Sequence, residues 1–287
     1  MIDQAPQTPE PPEQGLIPRE LQLRIVSGLA VAAIALLFVY WGSIPFAILV
    51  FLVAAVMSWE WGGIVRNDGA DTVGILHIVA IGAAALLANL GMAGLALAAV
   101  AVGAISISAL LFGQERGPLS SAGVLYTGLP VVALGWLRGD DQFGFQSVLF
   151  ILIMVAVTDI AAYVCGRMLG GPKLWPAVSP KKTWAGLIGG VVAAAVAGAI
   201  YSRFLRSGSV AWLAGLGLLL ALVAQGGDLA ESALKRRFGR KDSSHLIPGH
   251  GGFMDRMDGI VTASLVAALL ALMIDAYAPA RALLYGE

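Results

Sequence analysis

Between residues 22 and 280 the chain passes through nine stretches of about twenty apolar residues, each nearly free of charge. The hydrocarbon core of a bilayer is roughly 30 Å thick, and a helix needs about 20 residues to cross it. Inside that core every backbone N–H and C=O must be paired within the protein, which leaves helices and closed barrels. A barrel strand would show about ten residues of alternating character, whereas these runs are continuous. The chain therefore reads as all-α, a polytopic integral membrane protein with about nine transmembrane helices and cytoplasmic polar loops. Composition agrees: 58% of residues are hydrophobic and 13% charged, where soluble domains carry roughly 25% charged residues.

The predicted spans are 22–41, 44–62, 73–90, 92–112, 119–137, 145–169, 184–205, 210–227 and 259–280, with Tyr40, Trp41, Trp59 and Trp61 as interfacial aromatics. An odd number of crossings puts the termini on opposite sides. Fourteen of the 18 lysines and arginines then fall on the side of the N-terminus, so the positive-inside rule assigns that side to the cytoplasm, in a cell (inner) membrane. Residues 1–20, with Pro6, Pro9, Pro11, Pro12 and Pro18, read as a disordered tail. Residues 21–140 read as N-terminal transmembrane helices. Residues 141–287 read as a C-terminal catalytic region with two long polar loops, 167–183 and 228–258. The first apolar run is a retained helix and not a secretory signal, because a long acidic segment precedes it. Zero net charge gives no reason to expect nucleic acid as a partner. The single cysteine, Cys165, excludes an intrachain disulfide. No internal repeat stands out, which weighs against an inverted-repeat transporter.

The stretch from Gly227 to Gly259 concentrates eleven of the chain's formal charges between two apolar runs. In a helical continuation Asp228, Glu231, Ser232 and Lys235 share one face. The bland reading is a solvated helix end with Glu231 paired to Lys235. Asp255 and Asp258 are three apart and share a face as well. Carboxylates beside a cluster of cations suit magnesium held jointly by protein and phosphate, with a second metal ion left open. Lys235, Arg236, Lys241 and Arg256 are candidates for neutralising phosphate charge. The alternative is attraction to anionic headgroups, which leaves the aspartates unexplained. Gly249, Gly251 and Gly252 around His250 allow close backbone approach to a ligand, and a plain turn is the alternative. Upstream, Asp159 lies within an apolar helix, where carboxylates are costly and usually functional. Asp159, Tyr163 and Arg167 form one stripe, and an internal Asp–Arg pair is the structural alternative. Lys173, Ser179, Lys181, Lys182 and Thr183 form a basic loop entering a helix N-terminus, a favourable anion site. His77 and His245 show no partner at metal-ligand spacing. Composition and spacing thus point to a membrane enzyme that handles phosphates with a metal.

From Ser232 to Asp258 the chain reads S-A-L-K-R, four residues, K-D, then I-P-G-H-G-G-F-M-D-R-M-D. This resembles the signature of phosphatidate cytidylyltransferases, or CDP-diglyceride synthases. The segments TDIAAYVCGRMLGG and SPKKTWAG resemble two more parts of that family, and Ala185 stands where the family usually has glutamate. The resemblance implies that CTP and phosphatidate give CDP-diacylglycerol and pyrophosphate with magnesium, by a membrane-embedded homodimer in contact with lipid. It implies metal ligation by Asp228 and Asp255, with Asp258 a weaker candidate. Lys235, Arg236, Lys241, Arg256 and His250 are then the candidate catalytic residues. Ser179, Lys173, Lys181, Lys182, Ser232, Gly251 and Gly252 are the candidate substrate-binding residues. Two other readings compete. A CTP-dependent kinase of polyprenols or phytol would release CDP instead of pyrophosphate. A transporter or flippase would use Asp159 and Arg167 in a pathway.

Overall fold

The computed structural model describes residues 19–139, 142–205, 208–247 and 251–287. The predicted tail, up to residue 18, and His250 lie outside the described residues. Among the described residues nine helices of 18 or more residues run in order: α1 Arg19–Trp41, α2 Ser43–Arg66, α3 Thr72–Asn89, α4 Ala93–Leu110, α5 Gly117–Arg138, α6 Gly144–Leu169, α7 Trp184–Tyr201, α8 Val210–Arg237 and α9 Met254–Ile274. A short α10, Pro279–Tyr285, follows. Eight of the long helices, α2 to α9, are long and apolar enough to cross a membrane, and α1 adds the apolar stretch Ala32–Trp41.

Local chemistry sets several boundaries. Gly42 joins α1 to α2 at φ 132°, a backbone conformation that side chains other than glycine's rarely adopt. Asp71, Thr183 and Ser209 cap α3, α7 and α8 by accepting from the N–H of Gly74, Gly186 and Trp212, so each relieves an orphan donor of the first turn.

Two differences from the sequence reading matter. First, about half of the predicted 228–258 loop is helix: α8 continues to Arg237 and α9 begins at Met254, leaving 238–253 as the connection. The continuation is rich in Ala, Leu, Glu, Lys and Arg, all good helix formers. At 28 residues, α8 is about 42 Å long, so it overshoots a roughly 30 Å core and carries its charged end out of the hydrocarbon. Second, the predicted 167–183 loop folds into an antiparallel hairpin, β1 Lys173–Trp175 and β2 Ser179–Thr183, with Lys173 opposite Thr183 and Trp175 opposite Ser179. Beyond these, α9 ends at Ile274, earlier than predicted, ahead of Pro279.

The helices pack as two groups. α3, α4 and α5 share a core around Val100, Ile107 and Val124. α6 to α10 share a larger one around Phe150, Met154, Leu213 and Leu220. Lipid tails are as apolar as these side chains, so close packing, not burial from water, must hold helices together. Glycines permit it between α6, α7 and α8. A Cβ on Gly190 would lie 2.9 Å from the Thr158 carbonyl, and one on Gly217 would lie 2.5 Å from that of Ala194. α2 and α5 meet α9 through Met57, Trp61, Ala122, Tyr126, Met254 and Val261, which brings both groups to the end of the bundle that carries the hairpin and residues 238–247.

Candidate active site

Glu60 organises this end. It sits on α2 at 1% exposure. Its Oε1 accepts from the N–H of Phe253 at 2.9 Å and the hydroxyl of Ser244 at 2.5 Å. Its Oε2 accepts from the N–H of Met254 at 2.7 Å. The carboxylate therefore caps the N-terminus of α9, where unpaired N–H groups and the helix dipole favour negative charge. Beside it Asp255 accepts from the N–H of Gly252 at 2.8 Å and from Ser243 through its N–H at 3.0 Å and its hydroxyl at 2.9 Å. Lys235 bridges Asp255 and Glu231, its Nζ lying 2.9 Å from Glu231 Oε2. Gly252 fits because it has no side chain: a Cβ there would collide with the Ser243 hydroxyl and the Glu60 carboxylate.

A second group of acids lies next to this clasp. Ligand atoms of Asp228, Glu231 and Asp258 all lie within 4.8 Å of one another. In a magnesium octahedron with 2.0–2.1 Å bonds neighbouring oxygens are roughly 2.9 Å apart and opposite ones roughly 4.2 Å, so the three side chains would draw in to share an ion directly. Glu231 Oε1 is buried without a hydrogen-bond partner. A buried anionic oxygen left unmatched is costly, and a hard cation would satisfy it. The residues present therefore fit a magnesium ion.

Asp228 and Asp258 open onto a cavity of about 630 Å³, with Glu231 buried behind them. Its wall includes Asp159, Asp228, Asp255 and Asp258 together with Arg167, Lys181, Lys182 and Arg256. Lys182 is fixed by an ion pair to Asp228 at 2.6 Å and by Gln225 Oε1 at 3.2 Å. Gln225 in turn donates to Asp159 at 3.2 Å. Arg167 donates to the Tyr163 hydroxyl at 3.1 Å, so the predicted stripe faces the cavity, with Asp159 joined to Gln225 instead of to Arg167.

The structure thus sorts the candidates. Asp228, Asp255, Asp258, Lys181, Lys182 and Arg256 come together at the cavity. Ser232 donates to Asp228 at 3.3 Å. Gly251 adopts φ 85° and bridges to Ile247, and its neighbour Gly252 belongs to the clasp. Lys235 departs from the expectation of a phosphate-binding cation: it is 7% exposed and bridges two carboxylates behind the cavity wall. Arg236 hydrogen-bonds the carbonyls of Val178 and Arg240, tying the end of α8 to the hairpin. Lys173, Ser179 and Lys241 do not appear in the cavity wall. The resemblance pairs Asp255 with Asp228 as a metal ligand; here both its oxygens are engaged in the clasp, and Glu231 completes the cluster. The Glu231–Lys235 pair does form, but buried rather than solvated. Glu60 and Gln225 escaped the sequence reading. For Glu60 the signal was present, a carboxylate inside an apolar run. His77 is fully buried between Ser58 and the Ser120 carbonyl, a packing role in the α3–α5 group.

Residues 22–274 match the family model described as the cytidylyltransferase family. The chain belongs to that family. It is 39% identical over 264 residues to the phosphatidate cytidylyltransferase of Brucella suis biovar 1 (strain 1330), covering 87% of this chain and 92% of the relative. It is 29% identical over 254 residues to that of Bacillus subtilis (strain 168), covering 84% and 94%. For the phosphatidate cytidylyltransferase of Staphylococcus aureus (strain COL) the figures are 39% over 139 residues, 48% and 52%. The matched region takes in the cavity, the carboxylate cluster and the clasp, from Glu60 on α2 to Asp258 on α9.

Proposed function

We infer that the chain transfers the cytidylyl group of CTP to phosphatidate, giving CDP-diacylglycerol and pyrophosphate. One observation carries the reading beyond family membership. A single cavity joins Asp228 and Asp258 of the carboxylate cluster to Arg167, Lys181, Lys182 and Arg256. A triphosphate meeting a phosphate monoester needs that pairing of metal ligands with cations.

The second ionisation of a phosphate monoester lies near pH 6. The attacking phosphate is therefore largely dianionic at neutral pH and needs no strong base, which fits a cavity wall without histidine among the described residues. Asp228, Glu231 and Asp258 would hold magnesium, which when bound neutralises phosphate charge and stabilises the leaving pyrophosphate. Lys182, already fixed by Asp228 and Gln225, is positioned without further loss of side-chain freedom. With Lys181, Arg167 and Arg256 it lowers the repulsion between the two phosphates, and catalysis rests on position and charge. The excess of lysine and arginine on the side of the N-terminus supports a cytoplasmic cavity, where CTP is available. A homodimer belongs to the same proposal on the resemblance alone, and sizing in detergent against the 29.7 kDa chain tests it.

The direct experiment supplies purified protein with labelled CTP and dispersed phosphatidate. Label is expected in the organic phase, with pyrophosphate released, and only when a divalent metal is present. Release of CDP in place of pyrophosphate would indicate a kinase and overturn the reading.

A further inference from the structure

Two apolar cavities meet beside the polar one. The outer, about 350 Å³, lies between α1, α6 and α9, and every residue lining it is apolar except Arg256. The second, about 290 Å³, is lined by α1, α2, α5, α6 and α9 and also reaches the surface, at Ile34 and Leu52. Ala35, Leu152, Met257 and Ile260 line both, so these four side chains form a wall with a cavity on each face. Arg256 lines both the outer cavity and the polar one. It lies in the first turn of α9, at the polar end of the bundle, with Met257 and Ile260 deeper. On α1 the outer cavity extends from Gly28 to Leu36, about 12 Å along the axis at 1.5 Å per residue. One leaflet of a bilayer core is roughly 15 Å deep.

We propose that the two cavities form a forked site for the diacyl substrate. One acyl chain lies between α1, α6 and α9, the other lies beyond the shared wall along α2 and α5, and the phosphate is held at Arg256. This rests on the reaction proposed above. Charge and position select the occupant. A phosphomonoester matches a guanidinium at the mouth of the fork, and two chains leaving one headgroup match two cavities leaving one wall. A zwitterionic bulk lipid would bring a bulky cation to the Arg256 end and be disfavoured there. The fork also places the reacting phosphate against the cavity that holds Lys182 and Asp228, with its chains still at bilayer depth.

The test uses the full chain in detergent micelles and a phosphatidate with a photoreactive diazirine midway along one acyl chain. Crosslinks are expected in residues 28–36, 152–156 and 257–260, competed by unlabelled phosphatidate and not by phosphatidylcholine. Ala156→Phe places a ring at the exposed edge of the outer cavity, and Ala35→Phe places one at the shared wall. Each ring fills space that an acyl chain would occupy, and the overpacking should lower labelling ~10-fold in each variant. The melting temperature of both variants should stay near that of the unsubstituted protein, which shows that they are folded. Equal competition by phosphatidylcholine, crosslinks spread over lipid-facing α3 and α4, or unchanged labelling in both variants would overturn the fork. Labelling needs no nucleotide, so a protein that labels at the fork and fails to turn over CTP refutes the reaction and leaves the fork standing.

Discussion

The clasp around Glu60 and the cluster around Asp228 bury carboxylates within one turn or two of each other, yet they are built to opposite ends. In the clasp the donors match the acceptors: Glu60 and Asp255 take hydrogen bonds from the backbone of Phe253, Met254, Gly252 and Ser243, and Lys235 balances the charge. In the cluster three acids converge while Glu231 Oε1 has no partner. A buried charge with its lone pairs satisfied fixes a structure; one left short is a standing demand for a cation. Glu231 and Lys235 join the two, since Lys235 bridges Glu231 in the cluster to Asp255 in the clasp. The clasp holds α2, α8 and α9 in the register that the cluster needs.

That contrast breaks if substitutions in the two regions behave alike. The largest effect is expected in the cluster. Asp228→Asn and Asp258→Asn should each lower turnover by ~10²-fold, the scale of weakened metal ligation, without lowering the melting temperature. Magnesium should raise the melting temperature of the unsubstituted protein by mass action and leave that of both variants unmoved. A magnesium shift that persisted in both would place the ion elsewhere.

Substitution in the clasp should act on stability first. Glu60→Gln exchanges a charged acceptor for a weaker one at buried N–H donors, a loss of about 1.5–3 kcal/mol. Its melting temperature should fall while magnesium still raises it, and equal stability would remove Glu60 as the cap of α9. Gly252→Ala tests the same region by sterics. The added methyl meets Ser243 and Glu60, and overpacking of this kind costs about 1–3 kcal/mol. Gly251→Ala next to it probes a different feature, the positive φ, and should leave the Glu60 contacts in place.

The smallest effect lies outside the membrane spans. Burial alone would raise the Asp71 carboxyl, but hydrogen bonds from Arg66 and from the Gly74 N–H, with the charge of Arg66, bring it below its usual value. A depressed carboxyl contributes stability above its unfolded pKa, near 3.9, and loses it as pH falls through the lower folded value. Asp71→Asn should therefore melt slightly below the unsubstituted protein at pH 7, and the gap should close in strong acid. A gap that widened in acid would reverse the sign.

Residue order along the chain determined the apolar spans, because crossing a bilayer leaves one local solution for the backbone. It also determined which residues share a helix face, so Asp228 with Glu231, and Asp255 with Asp258, could be paired by spacing alone. The hairpin at Lys173–Thr183 was not legible, since a short polar run between glycines and prolines carries no period to count. Nor did spacing reveal which acid meets which partner. Glu60 reaches Met254 across 194 residues of chain, and Asp255 turns to Lys235 while Glu231 turns to Asp228 and Asp258. Those choices depend on how α2, α8 and α9 lean on one another. A helical repeat fixes the direction in which a side chain leaves its own axis; what it meets there is set by the packing of the other helices.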